Sequence, residues 1–154
     1  MKMVFNVAPK AVQSYKDGII KDRQGNPRII RYQPAEVREF KHSIAAGARA
    51  ALGPSFKPWT GPIRTKTTFY IPVPKSLEER YSLASAAGVP LYVTSRPDLS
   101  DNLHKGFLDA LIGILFVDDS LIVWEESRKV YGWPARIEFE AIRLDVDNEQ
   151  QELF

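Results

Sequence analysis

The sequence predicts a single α/β domain of the mixed α+β kind: one mixed β-sheet with two main helices packed on it. Three observations lead there. Segments that alternate apolar and polar residues are interleaved with segments whose apolar residues recur at helical spacing. No regular strand–helix alternation runs through the chain, and no glycine-rich loop follows any strand. With 154 residues, 44% of them hydrophobic and 26% charged, the chain is long enough for one sizeable core and too apolar for disorder.

The elements follow in order. "MVFNV" (3–7) reads as a first strand, ended by Pro9. "APKAVQSYKDG" is a polar loop rich in groups that can donate to phosphate, namely Lys10, Gln13, Ser14, Tyr15 and Lys16. "GIIKDRQGNPRIIRY" (18–32) predicts a short hairpin, two Ile-Ile runs around the turn chemistry of Gln24-Gly25-Asn26-Pro27. From Pro34 to Leu52 the apolar residues Val37, Phe40, Ile44, Ala45 and Ala48 fall at helical spacing, with proline at the entry and Gly53 past the exit. Residues 63–71 alternate and are rich in β-branched and aromatic side chains, which predicts a strand ended by Pro72 and Pro74. A short, mostly polar helix finishes at Gly88, and a loop through Pro90 and Pro97 follows it. Residues 101–112 form the second main helix, with Leu103, Phe107, Leu108, Leu111 and Ile112 on its apolar side. "ILFVDDSLIVWEESRKVYG" (114–132) reads as extended, and "ARIEFEAIRL" (135–144) as the last strand, expected to pair with its predecessor across "GWPA". The domain is expected to span 1–144, with 145–154 an acidic tail that frays.

Composition excludes several classes. There is no cysteine, hence no disulfide framework and no thiolate metal site, which fits a reducing cytoplasm. No stretch approaches the roughly 18 apolar residues that a membrane span needs. The net charge is +2, but the last ten residues carry four acids and no base, so the body before them sits at +6. A basic body is compatible with a phosphate-rich ligand, and Lys10, Lys16, Lys21, Arg23, Arg28 and Arg31 cluster in the first quarter.

The segment that carries chemistry is "RPDLSDNLHKGFLDALIGILFVDDSLIV" (96–123), with five aspartates at the ends of apolar elements. Ionised carboxylates taken out of water cost several kcal/mol, roughly, unless paired or bound to a cation. Asp98 and Asp101 converge on a helix start, and one of Asp118 and Asp119 can face the same pocket, because neighbours on a strand point to opposite faces. Carboxylates gathered in that way suit a hard divalent ion such as Mg²⁺ or Mn²⁺. Lys105, one turn beyond Asp101, can offset charge developing on a phosphoryl oxygen. Each half also has a plainer reading. Asp98 or Ser100 can be an N-cap, the Asp118–Asp119 pair an exposed turn, Asp109 a core-edge acid paired with a base, and His104 a structural histidine.

These residues resemble the RusA-type Holliday junction resolvases, crossover-junction endodeoxyribonucleases often carried by phages and prophages. The resemblance rests on "PDLSDN" (97–102), Lys105, "DAL" (109–111) and "DD" (118–119), with similarity also in "VAPKAVQSYK", "IPVPKS" and "SRKVYG" (127–132). It implies a homodimer, without a membrane, that nicks both strands of a four-way DNA junction with Mg²⁺ or Mn²⁺. It further implies Asp98, Asp101 and Asp119 as metal ligands, with Lys105 catalytic beside them and Lys10, Lys16 and Lys129 on backbone phosphates. The chain departs from the pattern at one point. Two residues, Leu99 and Ser100, separate the first two acids where the family usually has one, so either the loop bulges or Asp98 is displaced. The rival expectations are a nuclease acting on forks and flaps, and a non-catalytic DNA-binding module whose acids are caps and turns.

Overall fold

The alternating run at 63–71 becomes the strand on which the rest of the molecule is assembled. In the computed structural model, which describes residues 1–11 and 16–145, the order is β1 (Lys2–Phe5), β2 (Lys16–Lys21), β3 (Pro27–Tyr32), α1 (Ala35–Leu52), β4 (Ile63–Ile71), α2 (Glu78–Ala86), α3 (Lys105–Asp109), β5 (Ile122–Tyr131) and β6 (Arg136–Arg143). A 3₁₀ turn (Lys75–Leu77) leads into α2, a π-helical turn (Leu99–His104) into α3, and a second 3₁₀ turn (Asp119–Leu121) into β5. The fold is a mixed α+β domain, as the sequence predicts. Gln13, Ser14, Tyr15 and the tail beyond Asp145 lie outside the described residues.

The main sheet has the order β1-β6-β4-β5, with β4 antiparallel to β6 and parallel to β5. This corrects the expected pairing of the last two strands, because β4 lies between them. The link from β5 to β6 passes over the end of β4 instead of turning back on itself: the Gly132 amide donates to the Ile71 carbonyl at 2.9 Å. Crossing two strand spacings takes roughly 10 Å, within reach of a four-residue connection. Gly132 is required there, since a Cβ would run into the Tyr70 ring.

Alternation sorts the sheet's two faces. Thr65, Thr67 and Phe69 of β4, Ile137, Phe139 and Ala141 of β6, and Met3 and Phe5 of β1 point inward and are buried. α1 covers them with Val37, Phe40, Ile44 and Ala48, and the helical segment after residue 98 with Leu103, Phe107 and Leu108. Phe107 is the hub, edge-on to Phe5, Phe69 and Phe139 at 5.2 to 5.9 Å between centroids. Phe56 and Trp59 pack against this core. Gly53 ends α1 at φ 79°, a backbone region that favours glycine, and its amide caps the Arg49 carbonyl. The second helix departs from expectation: regular α-helix covers only Lys105–Asp109, after a π-helical turn and before irregular turns.

The outer face carries ion pairs and a cation–π contact. Arg64 stacks on Trp124 and pairs with Glu126, Lys66 also reaches Glu126, and Lys2 pairs with Glu140. No helix of the described residues is long and apolar enough to cross a membrane.

Candidate active site

The π-helical turn at Leu99–His104 is built around Asp98. Its carboxylate accepts from the backbone amides of Asp101 (3.1 Å) and Asn102 (3.2 Å), and from the side-chain amide of Asn102. Asp98 is therefore the N-cap, and it orders the backbone that carries Asp101. The turn closes through bonds five residues apart: Leu103 donates to the Asp98 carbonyl, and Lys105 to the Ser100 carbonyl. A π-turn accommodates one residue more than an α-turn. The extra residue between the two acids is thus taken up as a local bulge, and Leu103, Phe107, Leu108 and Leu111 keep their inward register. Ile112, expected on the same side, is exposed because the helix has already ended at Asp109. Leu99 packs against the core while Ser100 is exposed.

Strand β5 holds this turn in place. Its register with β4 puts Glu125, Ser127 and Lys129 on the same inward row as Thr65, Thr67 and Phe69. The Lys129 ammonium donates to the carbonyls of Ser95 (2.7 Å) and Pro97 (2.6 Å), fixing the chain just before Asp98. At the other end of the turn, His104 is buried, with Nδ1 2.7 Å from Glu125 Oε1 and Nε2 3.1 Å from the Thr67 hydroxyl. Burial holds the His104 pKa below its ordinary value, against the opposing pull of Glu125. The neutral ring then donates from Nδ1 to Glu125 and accepts at Nε2 from Thr67. His104 is structural, a clamp between β4, β5 and the turn. The sequence offers no sign of its partners, which lie on two distant strands.

The other acids divide by role. Asp118 caps the 3₁₀ turn at Asp119–Leu121, accepting from the Ser120 amide at 2.9 Å, and hydrogen bonding from Ser120, its side chain first and then its amide, lowers the Asp118 pKa. Asp109 pairs with Lys41 of α1 at 3.0 Å. Asp101 and Asp119 are exposed, and among the described residues neither carboxylate takes a hydrogen bond or ion pair. Among the described residues folding therefore strands none of these charges: Asp98 and Asp118 cap turns, Asp109 pairs with Lys41, and Asp101 and Asp119 are exposed.

The structure brings Asp98 and Asp101 together at the head of one turn and sets Asp119 at the entry to β5, outside their contacts. Among the described residues, no three acidic, histidine or cysteine side chains stand close enough to hold one ion between them. Lys105 is exposed at the start of α3. Lys16 is exposed at the start of β2, and Lys10 stands 3.5 Å from Glu36.

Residues 8–148 match the family profile described as "Endodeoxyribonuclease RusA". The chain belongs to the RusA endodeoxyribonuclease family. A RusA-family assignment makes DNA the substrate and phosphodiester cleavage within a strand the reaction. The chain is also 31% identical over 114 residues, 73% of its length, to the uncharacterized protein YqaN of Bacillus subtilis (strain 168), of which it covers 78%. The family match spans every acid of the site.

Proposed function

We propose that this RusA-family protein is a Mg²⁺- or Mn²⁺-dependent, structure-selective endodeoxyribonuclease. As a cytoplasmic homodimer it resolves Holliday junctions by paired hydrolytic nicks, in phage or prophage recombination and repair. The observation that carries the reading is the Asp98-capped turn, pinned by Lys129 at one end and His104 at the other, which presents the exposed carboxylate of Asp101.

The donor set fits such an ion in kind. It is all oxygen, and Mg²⁺ is usually held by one or two carboxylates, with waters and substrate phosphates completing the shell. Asp98 and Asp101 would be that pair, and Asp119, which stands outside their contacts, would join as third ligand only by a movement of the β5 entry toward the turn; these three are the acids assigned to catalysis. Bound there, the ion would supply Lewis acidity toward a phosphate oxygen and acidify a water. The protein's own residues do the rest. Asp98 fixes the orientation of Asp101 through the cap, and Lys105 offsets negative charge accumulating on the phosphate. Lys10, Lys16 and the remaining N–H of Lys129 hold backbone phosphates without reading sequence. Two-fold symmetry suits a substrate that must be nicked at two symmetric positions.

Asp119→Asn tests the site: cleavage of a four-way junction is lost while binding is retained or tightened, and continued nicking would remove Asp119 from it. Comparing junction, fork, flap and linear duplex at equal salt tests the substrate. Cutting linear duplex as fast as the junction would overturn the resolvase reading and leave the nuclease standing.

A further inference from the structure

We propose that the β2–β3 hairpin is a DNA-docking ribbon, seated in the groove of a duplex arm of the substrate with Ile19 and Ile29 toward the bases. The proposal rests on the nuclease reading above and adds a contact surface to it. β2 and β3 pair with each other and take no part in the four-stranded sheet. A two-stranded hairpin alone is marginal in water, yet this one points large apolar side chains outward. Ile19 and Ile29 are direct cross-strand partners, 77% and 78% exposed, on one face of the ribbon. On the other face Gly18 and Ile30 are half-buried, and the Tyr32 ring lies against Gly18. The outward face is the one left for a partner.

Charge identifies the partner. Residues 16–32 hold more bases than acids, and their two acids are both committed locally. Asp17 pairs with Arg31 at 3.1 Å, and Asp22 accepts from the turn amides of Gln24 and Asn26 at 2.9 Å. Among the described residues Lys16, Lys21, Arg23 and Arg28 have no carboxylate within ion-pair distance. A second copy of the ribbon would set like charge against like charge, whereas a polyanion complements it. The dimensions agree with duplex DNA, since a ribbon six residues long measures about 20 Å, and a major groove about 12 Å wide admits two strands. Lys21 and Arg23, at the turn end, then reach phosphates of the groove wall. The isoleucine pair meets the apolar base edges that the floor offers, thymine methyl groups above all.

Two full-length variants test this with a fluorescently labelled four-way junction in a salt series. Ile19→Thr with Ile29→Thr keeps β-branched side chains and removes the apolar pair. It should weaken binding about 5-fold or more with an unchanged salt slope, as expected for an interaction that releases no counterions. Lys21→Gln with Arg23→Gln should make the slope of log affinity against log salt shallower by about 2, close to one unit for each phosphate no longer neutralised. Wild-type protein supplies an independent readout: bound junction should shield Lys21, Arg23 and Arg28 from trypsin. Variants that bind like wild type, or a hairpin cut equally with and without junction, would overturn the docking role while the wild type still cleaves. An isoleucine variant altered only in its dimerisation, by sizing, would reassign the face to a second copy. Wild-type protein that binds no DNA would overturn the functional reading, and the ribbon's role with it.

Discussion

His104 ties the acidic turn to two strands, and its protonation state is set by where it sits. At 2% exposure its charged form is disfavoured, and Glu125 offsets only part of that cost. The pKa is thus lowered from the ordinary 6.5 in the folded state, and below that pH the unfolded chain binds more protons than the native one. The stability contributed is complete above 6.5 and is lost as pH falls from there toward the folded value. Melting temperatures of wild type should therefore drop between about pH 7.5 and 5 more steeply than those of His104→Gln. The variant should be less stable at neutral pH by about 1–3 kcal/mol, since Thr67 or Glu125 loses its partner. Equal pH slopes would remove His104 as the titrating group. Lys129 raises a sharper question, because two of its three N–H groups point at carbonyls of the chain leading into Asp98. Lys129→Met should lower kcat about tenfold or more and leave KM for the junction within about threefold, with partial rescue by Lys129→Arg. A raised KM at unchanged kcat would mean that holding phosphate is its main work.

At the scale of elements, the π-helical turn is the feature most open to experiment. If its extra residue is simply absorbed, removing it should convert the turn to α-helix and leave α3 undisturbed. Ser100 is the residue to delete, because it is exposed while Leu99 packs on the core. The deletion variant should fold, melt within a few degrees of wild type and still cut junctions. A second insertion beside Ser100 cannot be absorbed in the same turn and should abolish cleavage. Loss of folding on deletion would mean that the bulge is itself needed for packing. This element also marks how far sequence reasoning reaches. The spacing of Leu103, Phe107 and Leu108 reveals a helix and its buried side, but a π-turn leaves no periodic signature over so short a span. The β5–β6 relation fails for a related reason. Alternation in 122–131 and 136–143 identifies strands, yet strand neighbours are chosen by long-range packing that alternation does not encode. "GWPA" does hold a clue, since it lacks the Asn-Gly or Asp-Gly chemistry of a tight hairpin. The site divides along the same line. Acid types and spacing are visible in the sequence, and so is the capacity of some to cap turns. That Asp98 and Asp118 do so, while among the described residues the Asp101 and Asp119 carboxylates take no bond, depends on backbone amides fixed only by the fold.

For the molecule as a whole, the site is held by a core whose centre lies directly beneath it. Phe107 belongs to the same helical segment as Lys105 and is fully buried, edge-on to rings from β1, β4 and β6. Such pairs add about 0.5–1.5 kcal/mol each beyond the area buried. The three strands touched span the sheet from its β1 edge to the central β4, so this one side chain couples the acidic turn to most of the fold. Phe107→Ala opens a cavity that α3 and β4 cannot both collapse into, and should cost about 3–5 kcal/mol, read from the urea midpoint at unchanged m-value. Against a typical domain stability of about 5–15 kcal/mol, the variant stays folded at 25 °C only if the rest of the core is well packed. Phe107→Leu refills most of that volume and gives up chiefly the ring–ring interactions. It should fall between the two, with junction cleavage restored in proportion to the folded fraction. A Leu variant as stable as wild type but slow to cleave would mean that Phe107 sets the angle of the turn, and with it the aim of Asp101, more than it sets stability.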